Sequence, residues 1–339
     1  MTVIGTAGAR TLAGHTGAVN SVAFSPDGAW LSTASEDKTA RLWHASTGDL
    51  RYTLSSHTDA VFAAPFSPDG TRVATVSADL TPRLWDVATG ACANELTGHT
   101  VAVFGVAYSP DSRQLATTSY DETVRIWDTT TGRCQRIMQG HSDIVYAAAF
   151  SPDGTLLATA SGDGTTRLWD TRTAACRHVL TGHTSIVSAV TFSPDGSLIA
   201  TASFDATARL WDVAAGNCLR ILSGHSDTVW SVAFSPNGAV VAAASEDATA
   251  RLWEAATGTP IRTHEGHTDS AFVVAFSPDG MLMATASSDA TVRLWDSSTG
   301  RCARTLEGHA GAVSSLAFSP DGRQLATAST DETARLWTL

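Results

Sequence analysis

Apolar residues along this chain fall into short runs, each closed by residues that favour turns. The run from Ile144 to Phe150 ends at Ser151-Pro152-Asp153-Gly154. Proline suits the second position of such a turn, and glycine leaves it without a Cβ penalty. Leu156 to Ser161 follows, then a tight turn at Gly162-Asp163-Gly164, then Thr165 to Trp169. After Asp170 to Ala174, a fourth run covers about Cys176 to Leu180. This pattern predicts four short strands and leaves no room for a helix.

The pattern then recurs. His15, His57, His99, His141, His183, His225, His267 and His309 lie at one constant spacing of 42 residues, without an insertion. Trp43, Trp85, Trp127, Trp169, Trp211, Trp253, Trp295 and Trp337 keep the same interval. A unit this small cannot bury its own apolar face, so neighbours must share a core. Residues 1–339 are therefore expected to form a single domain of eight repeats.

An all-β array of this period fits a β-solenoid, whose repeats are usually shorter, or a ring of four-stranded blades. The spacing from Gly140-His141 to Trp169-Asp170 resembles the WD-repeat (WD40-type) β-propellers, above all the long regular bacterial arrays. The likeness covers almost the whole chain. It implies an eight-bladed β-propeller of four-stranded antiparallel blades. The last unit stops at Trp337-Thr338-Leu339, while Ala9-Arg10-Thr11-Leu12 matches Ala303-Arg304-Thr305-Leu306. The N-terminal strand is thus expected to complete the last blade and close the ring. Arrays of this kind often follow a kinase or NTPase domain, so a monomer or a module of a larger chain is expected. Pro65 and Pro260 fall in edge strands, where a missing N–H is tolerable, whereas Pro82 predicts a bulge or a lost ladder bond.

His141, Thr159, Asp163 and Trp169 imitate a nucleophile, a base and an orienting carboxylate. Eight equivalent copies cannot each be an active site on a uniform ring. In the family this chain resembles, these positions form a structural hydrogen-bond chain. The chemistry agrees: a buried indole N–H needs an acceptor, and a threonine hydroxyl both accepts and donates. The sixth unit has Ala243 in place of the threonine, which leaves His225 and Trp253 without it. No phosphate-cradling loop with lysine, no His-x-x-x-His and no Cys-x-x-Cys occurs. A non-enzyme without metal or cofactor is expected. Cys92, Cys134, Cys176, Cys218 and Cys302 share one repeat position, so they should lie too far apart for disulfides.

The net charge of -11 argues against a nucleic-acid partner. Met1 to Ala9 has no basic region leading into an apolar run, so no signal peptide is expected there, and no apolar run approaches the roughly 20 residues of a membrane span. The expected location is cytoplasmic.

Positions that differ between copies point to function. The fifth residue after the histidine reads Asn20, Phe62, Phe104, Tyr146, Ser188, Trp230, Phe272 and Ser314. The third after it includes Ile144 and Ile186, and the residue before the turn aspartate includes Glu36, Tyr120, Phe204 and Glu246. In WD-repeat propellers these positions face the top surface around the channel mouth. The resemblance therefore implies a non-catalytic scaffold that binds a peptide or partner domain there. Aromatic anchors with a polar rim suit a protein interface, and Asp59, Asp143, Asp227 and Asp269 favour a basic partner. The alternatives are a reader of a cationic or methylated-lysine group in an aromatic cage, a sugar-binding or hydrolytic propeller, and rings that merely fill the channel.

Overall fold

Alternating small and β-branched residues make strands, and the Ser-Pro-Asp-Gly turns fold each strand back on the last. In the computed structural model, which describes residues 8–339, this yields eight four-stranded antiparallel sheets. Blade 4 is typical, with Val145–Phe150, Leu156–Ser161, Thr166–Asp170 and Cys176–Leu180 paired in chain order. The first strands of successive blades contact one another and line a central channel.

The core lies between blades. Leu210 and Leu222 of blade 5 pack with Val229, Val241 and Trp253 of blade 6. Each repeated tryptophan covers the preceding blade in this way, as Trp127 covers Leu84 and Leu96. Neighbouring blades therefore share their apolar cores. The last interface depends on the closing strand, Ala9–Leu12, which pairs antiparallel with Ala334–Thr338 from Ala9↔Trp337 to Leu12↔Ala334. Leu12 is buried among Val19, Leu31 and Trp43 of blade 1 and Leu336 of blade 8.

Blades 1–7 carry two register shifts each, and blade 8, completed by Ala9–Leu12, carries one. The shift common to all falls in the first strand, where Val145 pairs with Ser161 and Ala147 with Ala160, so Tyr146 is skipped. Its equivalents Asn20, Phe62, Phe104, Ser188, Trp230, Phe272 and Ser314 are skipped likewise. The other falls before the tryptophan, between Leu168 and Trp169 in blade 4.

Blade 2 bears both prolines that its repeat does not share. The Val73–Trp85 ladder ends at Thr75↔Arg83, so the pair that would include Pro82 is lost, as its missing N–H requires. Pro65 departs from expectation. Its carbonyl accepts from the Ala74 N–H at 3.0 Å, and its nitrogen faces the same partner strand rather than the free edge. The first strand of blade 2 shrinks to Val61–Ala63, with Phe66↔Val73 left as an isolated bridge.

Candidate functional site

The residues that imitate catalysis form a continuous hydrogen-bonded frame. In blade 4 the Trp169 indole N–H donates to Thr159 Oγ1 at 2.9 Å. His141 Nε2 lies 2.8 Å from that oxygen, and His141 Nδ1 lies 2.8 Å from Asp163 Oδ2. A carboxylate only accepts, so Nδ1 carries the proton and the threonine donates to Nε2. Asp163 also accepts from the Ser142 N–H, the Thr165 N–H and the Thr165 hydroxyl. Ser161 ties Asp163 N to the carbonyl of Asp143. Thr165 and Ser161 belong to the frame as fully as the four residues named from sequence. With the histidine and the carboxylate both engaged and the threonine fully buried, nothing here is free to attack a substrate.

Burial pulls His15, His99, His183, His225, His267 and His309 below their ordinary pKa of 6.5. Burial works against ionisation of Asp121 too, but hydrogen bonds from Thr123 and His99 outweigh it and hold the carboxyl at about 2. Both shifts are downward. Below pH 6.5 the unfolded histidines take up protons that the folded ones resist, and below 3.8 the aspartates follow. Stability should therefore fall as pH falls, beginning under pH 6.5 and steepening under 3.8. Thermal melts across pH 3 to 8 test this; a melting temperature that rises on acidification from neutrality contradicts it.

Two blades vary the frame. A Cβ built on Gly98 or Gly140 would meet the guanidinium of Arg125 or Arg167, so glycine makes room for an arginine lying over the tryptophan ring. Blade 2 has Ser56 at this position, and its arginine turns elsewhere. Arg83 binds Asp79 at 2.8 Å and Glu95 at 3.3 Å and reaches His57 Nδ1 at 2.6 Å. In blade 6 the expected gap is present: His225 Nε2 is buried beside Ala243 without a hydrogen-bond partner. Ala243→Thr should restore both bonds and stabilise the protein by about 1–3 kcal/mol. Chemical denaturation measures this; no gain would mean that blade 6 has already satisfied its histidine in another way.

The variable residues gather at one end of the blades. The residue before each turn aspartate is tied to the third after the histidine, as in Tyr120 N→Ala102 O at 3.0 Å and Phe204 N→Ile186 O at 2.9 Å. Gly162 is tied to Ile144 in the same way, Glu246 to Thr228 and Glu36 to Ala18. The fifth position is the skipped residue of the first-strand bulge, a device that re-aims a side chain out of the ladder. Sequence periodicity cannot show a bulge, although the unusual freedom of this position was its trace.

The rings form two patches. Phe104 contacts Phe62, Tyr120 and Tyr146 at centroid distances of 4.9, 5.9 and 6.0 Å. Trp230 contacts Phe204 at 4.8 Å and Phe272 at 5.9 Å. Gly162 and Ser188 interrupt the series between blades 4 and 5. The polar copies turn onto the next blade instead: Ser188 and Ser314 donate to Val229 O and Val19 O, and Asn20 donates to Val61 O. None of the seven rings is fully buried; Tyr120 is exposed and the others are half-buried, as are Ile144 and Ile186. Glu36 and Glu246 are exposed. Phe104 and Tyr146 also border a recess of about 310 Å³ in the channel wall. Among the described residues, no group of three or more His, Cys, Asp or Glu is placed to hold a metal, and no helix could cross a membrane. The cysteines are free and, apart from half-buried Cys218, exposed.

Eight blades of this build, each with the His–Asp pair and seven with the full His–Thr–Trp chain, define a WD-repeat propeller. The family described as WD domain, G-beta repeat matches residues 9–44, 48–86, 90–128, 132–170, 174–212, 216–254, 258–296 and 300–338, and the chain belongs to it. Its members generally serve as non-catalytic scaffolds for protein interactions. The crystal structure of the computationally designed Ika8 protein is similar over 97% of this chain and 98% of that one, with TM-score 0.88 and 28% identity. Curated relatives match over about one repeat. The Notchless protein homolog of Arabidopsis thaliana is 54% identical over 39 residues, 12% of this chain and 8% of that protein. The pre-mRNA-splicing factor PRP46 of Yarrowia lipolytica is 46% identical over 44 residues, 13% of this chain and 10% of that protein. The matches thus span about a tenth of those relatives' lengths.

Proposed function

We propose that this propeller is a scaffold that docks a protein or peptide on the rim carrying Phe62, Phe104, Tyr120, Tyr146, Phe204, Trp230 and Phe272. The observation that carries this reading is the gathering of seven incompletely buried rings into two patches at one end of the blades. Aromatic side chains supply large contact area at low rotamer cost. Asp59, Asp143, Asp227, Asp269, Glu36 and Glu246 are exposed at the same end, so a basic partner would be steered towards it. Rings that touch at 4.8–6.0 Å leave no slot between them for an ammonium group, which favours docking over a methyl-lysine cage.

The test is affinity capture from a lysate of the source cells, followed by titration of the partner identified. Changing Phe104, Tyr146 and Trp230 together to alanine should leave the melting curve nearly intact and weaken binding at least tenfold. Undiminished binding would move the docking site off this rim.

A further inference from the structure

A cavity lies at the other end of the ring. It measures about 510 Å³, and the prolines of five consecutive turns, Pro68 to Pro236, surround it with Phe150, Phe192 and Phe234. Tyr146 begins, and Pro152 follows, the same inner strand; at about 3.3 Å per residue the two ends lie about 20 Å apart. Turn chemistry explains why proline is present, but not why its ring is left exposed at every turn.

The collar is closely packed. Pro110 Cδ comes within 3.4 Å of where a Cβ on Gly154 would sit, and Pro152 does the same to Gly196 at 3.3 Å. Each proline is thus braced by the turn of the next blade. No charged side chain lines the cavity. Around it Arg72 and Arg113 stand by Tyr108 and Asp111 on the side of blades 2 and 3, while acids predominate along blades 4 to 7. Asp153, Asp195 and Asp279 are exposed, and hydrogen bonds from Ser151, Ser193 and Ser277 keep them ionised below the usual carboxylate range. Two residues beyond each acid stand Thr155, Ser197 and Met281, where blades 3 and 8 have Arg113 and Arg323. Asp212, Glu254 and Asp296 close the third strands at this end, with Arg172 and Arg301 as the bases of the adjoining loops, while Asp170 is paired with Arg177.

We propose that this collar is a second docking site, taking a basic peptide segment whose single aromatic side chain enters the proline-lined cavity. An aromatic ring suits walls of proline and phenylalanine, and flanking cations suit the acids along blades 4 to 7. The site stands independently of the aromatic rim. With both occupied, the ring holds two partners on opposite faces.

The test uses the full chain and calorimetric titration with a peptide of one tryptophan between two pairs of arginines. A second peptide has alanine in place of the tryptophan. Saturable one-to-one binding of the first is expected, at least tenfold tighter than the second. Asp153→Asn, Asp195→Asn and Asp279→Asn combined should weaken it at least tenfold. The turns tolerate this, because blade 6 already uses Asn237, whose Oδ1 accepts from Ser235 at 2.7 Å. Ala233→Trp, which fills the cavity from its wall, should abolish binding; if that variant fails to fold, the asparagine variant decides. The rim variant lacking Phe104, Tyr146 and Trp230 should bind within twofold of wild type. Equal binding of the two peptides, no saturable binding, or loss in the rim variant alone would overturn the proposal.

Discussion

Trp127→Ala should destabilise the protein by about 3–5 kcal/mol. The indole is 1% exposed and wedged between Leu84 and Leu96 of one blade and Leu115 of its own. Its removal opens a cavity at an interface that both blades rely on. It also takes from Thr117 Oγ1 the donor held at 2.8 Å, although His99 remains bonded to that oxygen. The cavity therefore dominates, and the lost hydrogen bond adds about 1 kcal/mol. Urea denaturation followed by circular dichroism reads the change. Because neighbouring repeats are coupled, the transition should broaden as well as shift. An unchanged midpoint would remove the tryptophan from the core.

Deleting residues 1–12 should have an effect of similar size by a different route. Leu12 is 1% exposed, and loss of a buried leucine alone costs about 2–5 kcal/mol. The four paired residues of the closing strand go with it, and Ala334–Thr338 becomes an open edge. Open edges pair with other chains. Light scattering should then show concentration-dependent association alongside a lower melting temperature. A truncated chain that stays monomeric and melts like wild type would mean that the ring does not depend on this strand.

Much of this architecture was legible because repetition compares the chain with itself. The constant interval between His141 and His183, and the match of Arg10 to Arg304, yield eight blades and the seam without coordinates. Ala243 predicted the orphaned His225. What stayed hidden depends on direction in space. The N–H missing at Pro65 points at its ladder partner, which register decides and composition does not. Ser56 reads as a conservative exchange for glycine, yet its Cβ denies Arg83 the place its seven counterparts hold. The fifth position was singled out as variable, but its role as the bulge residue, aimed out of the ladder, required the pairing. The turn prolines looked fully accounted for as turn formers, so the cavity they enclose left no trace in the pattern.

The seam between Leu12 and Ala334 has a topological consequence. From Leu12↔Ala334 to Arg10↔Leu336 its register matches that of Leu306↔Val292 to Arg304↔Leu294 inside an unbroken blade, and only the bulge before the tryptophan is missing, because Ala9 pairs directly with Trp337. A circular permutant that joins the present ends and opens the chain between other blades would keep every sheet pairing. It would move only the point of covalent discontinuity. Placing that break beside Ala243 would load the blade with the unsatisfied histidine, and placing it far away would spare that blade. The breathing of the ring could thus be shifted around its circumference without changing the residues on either face.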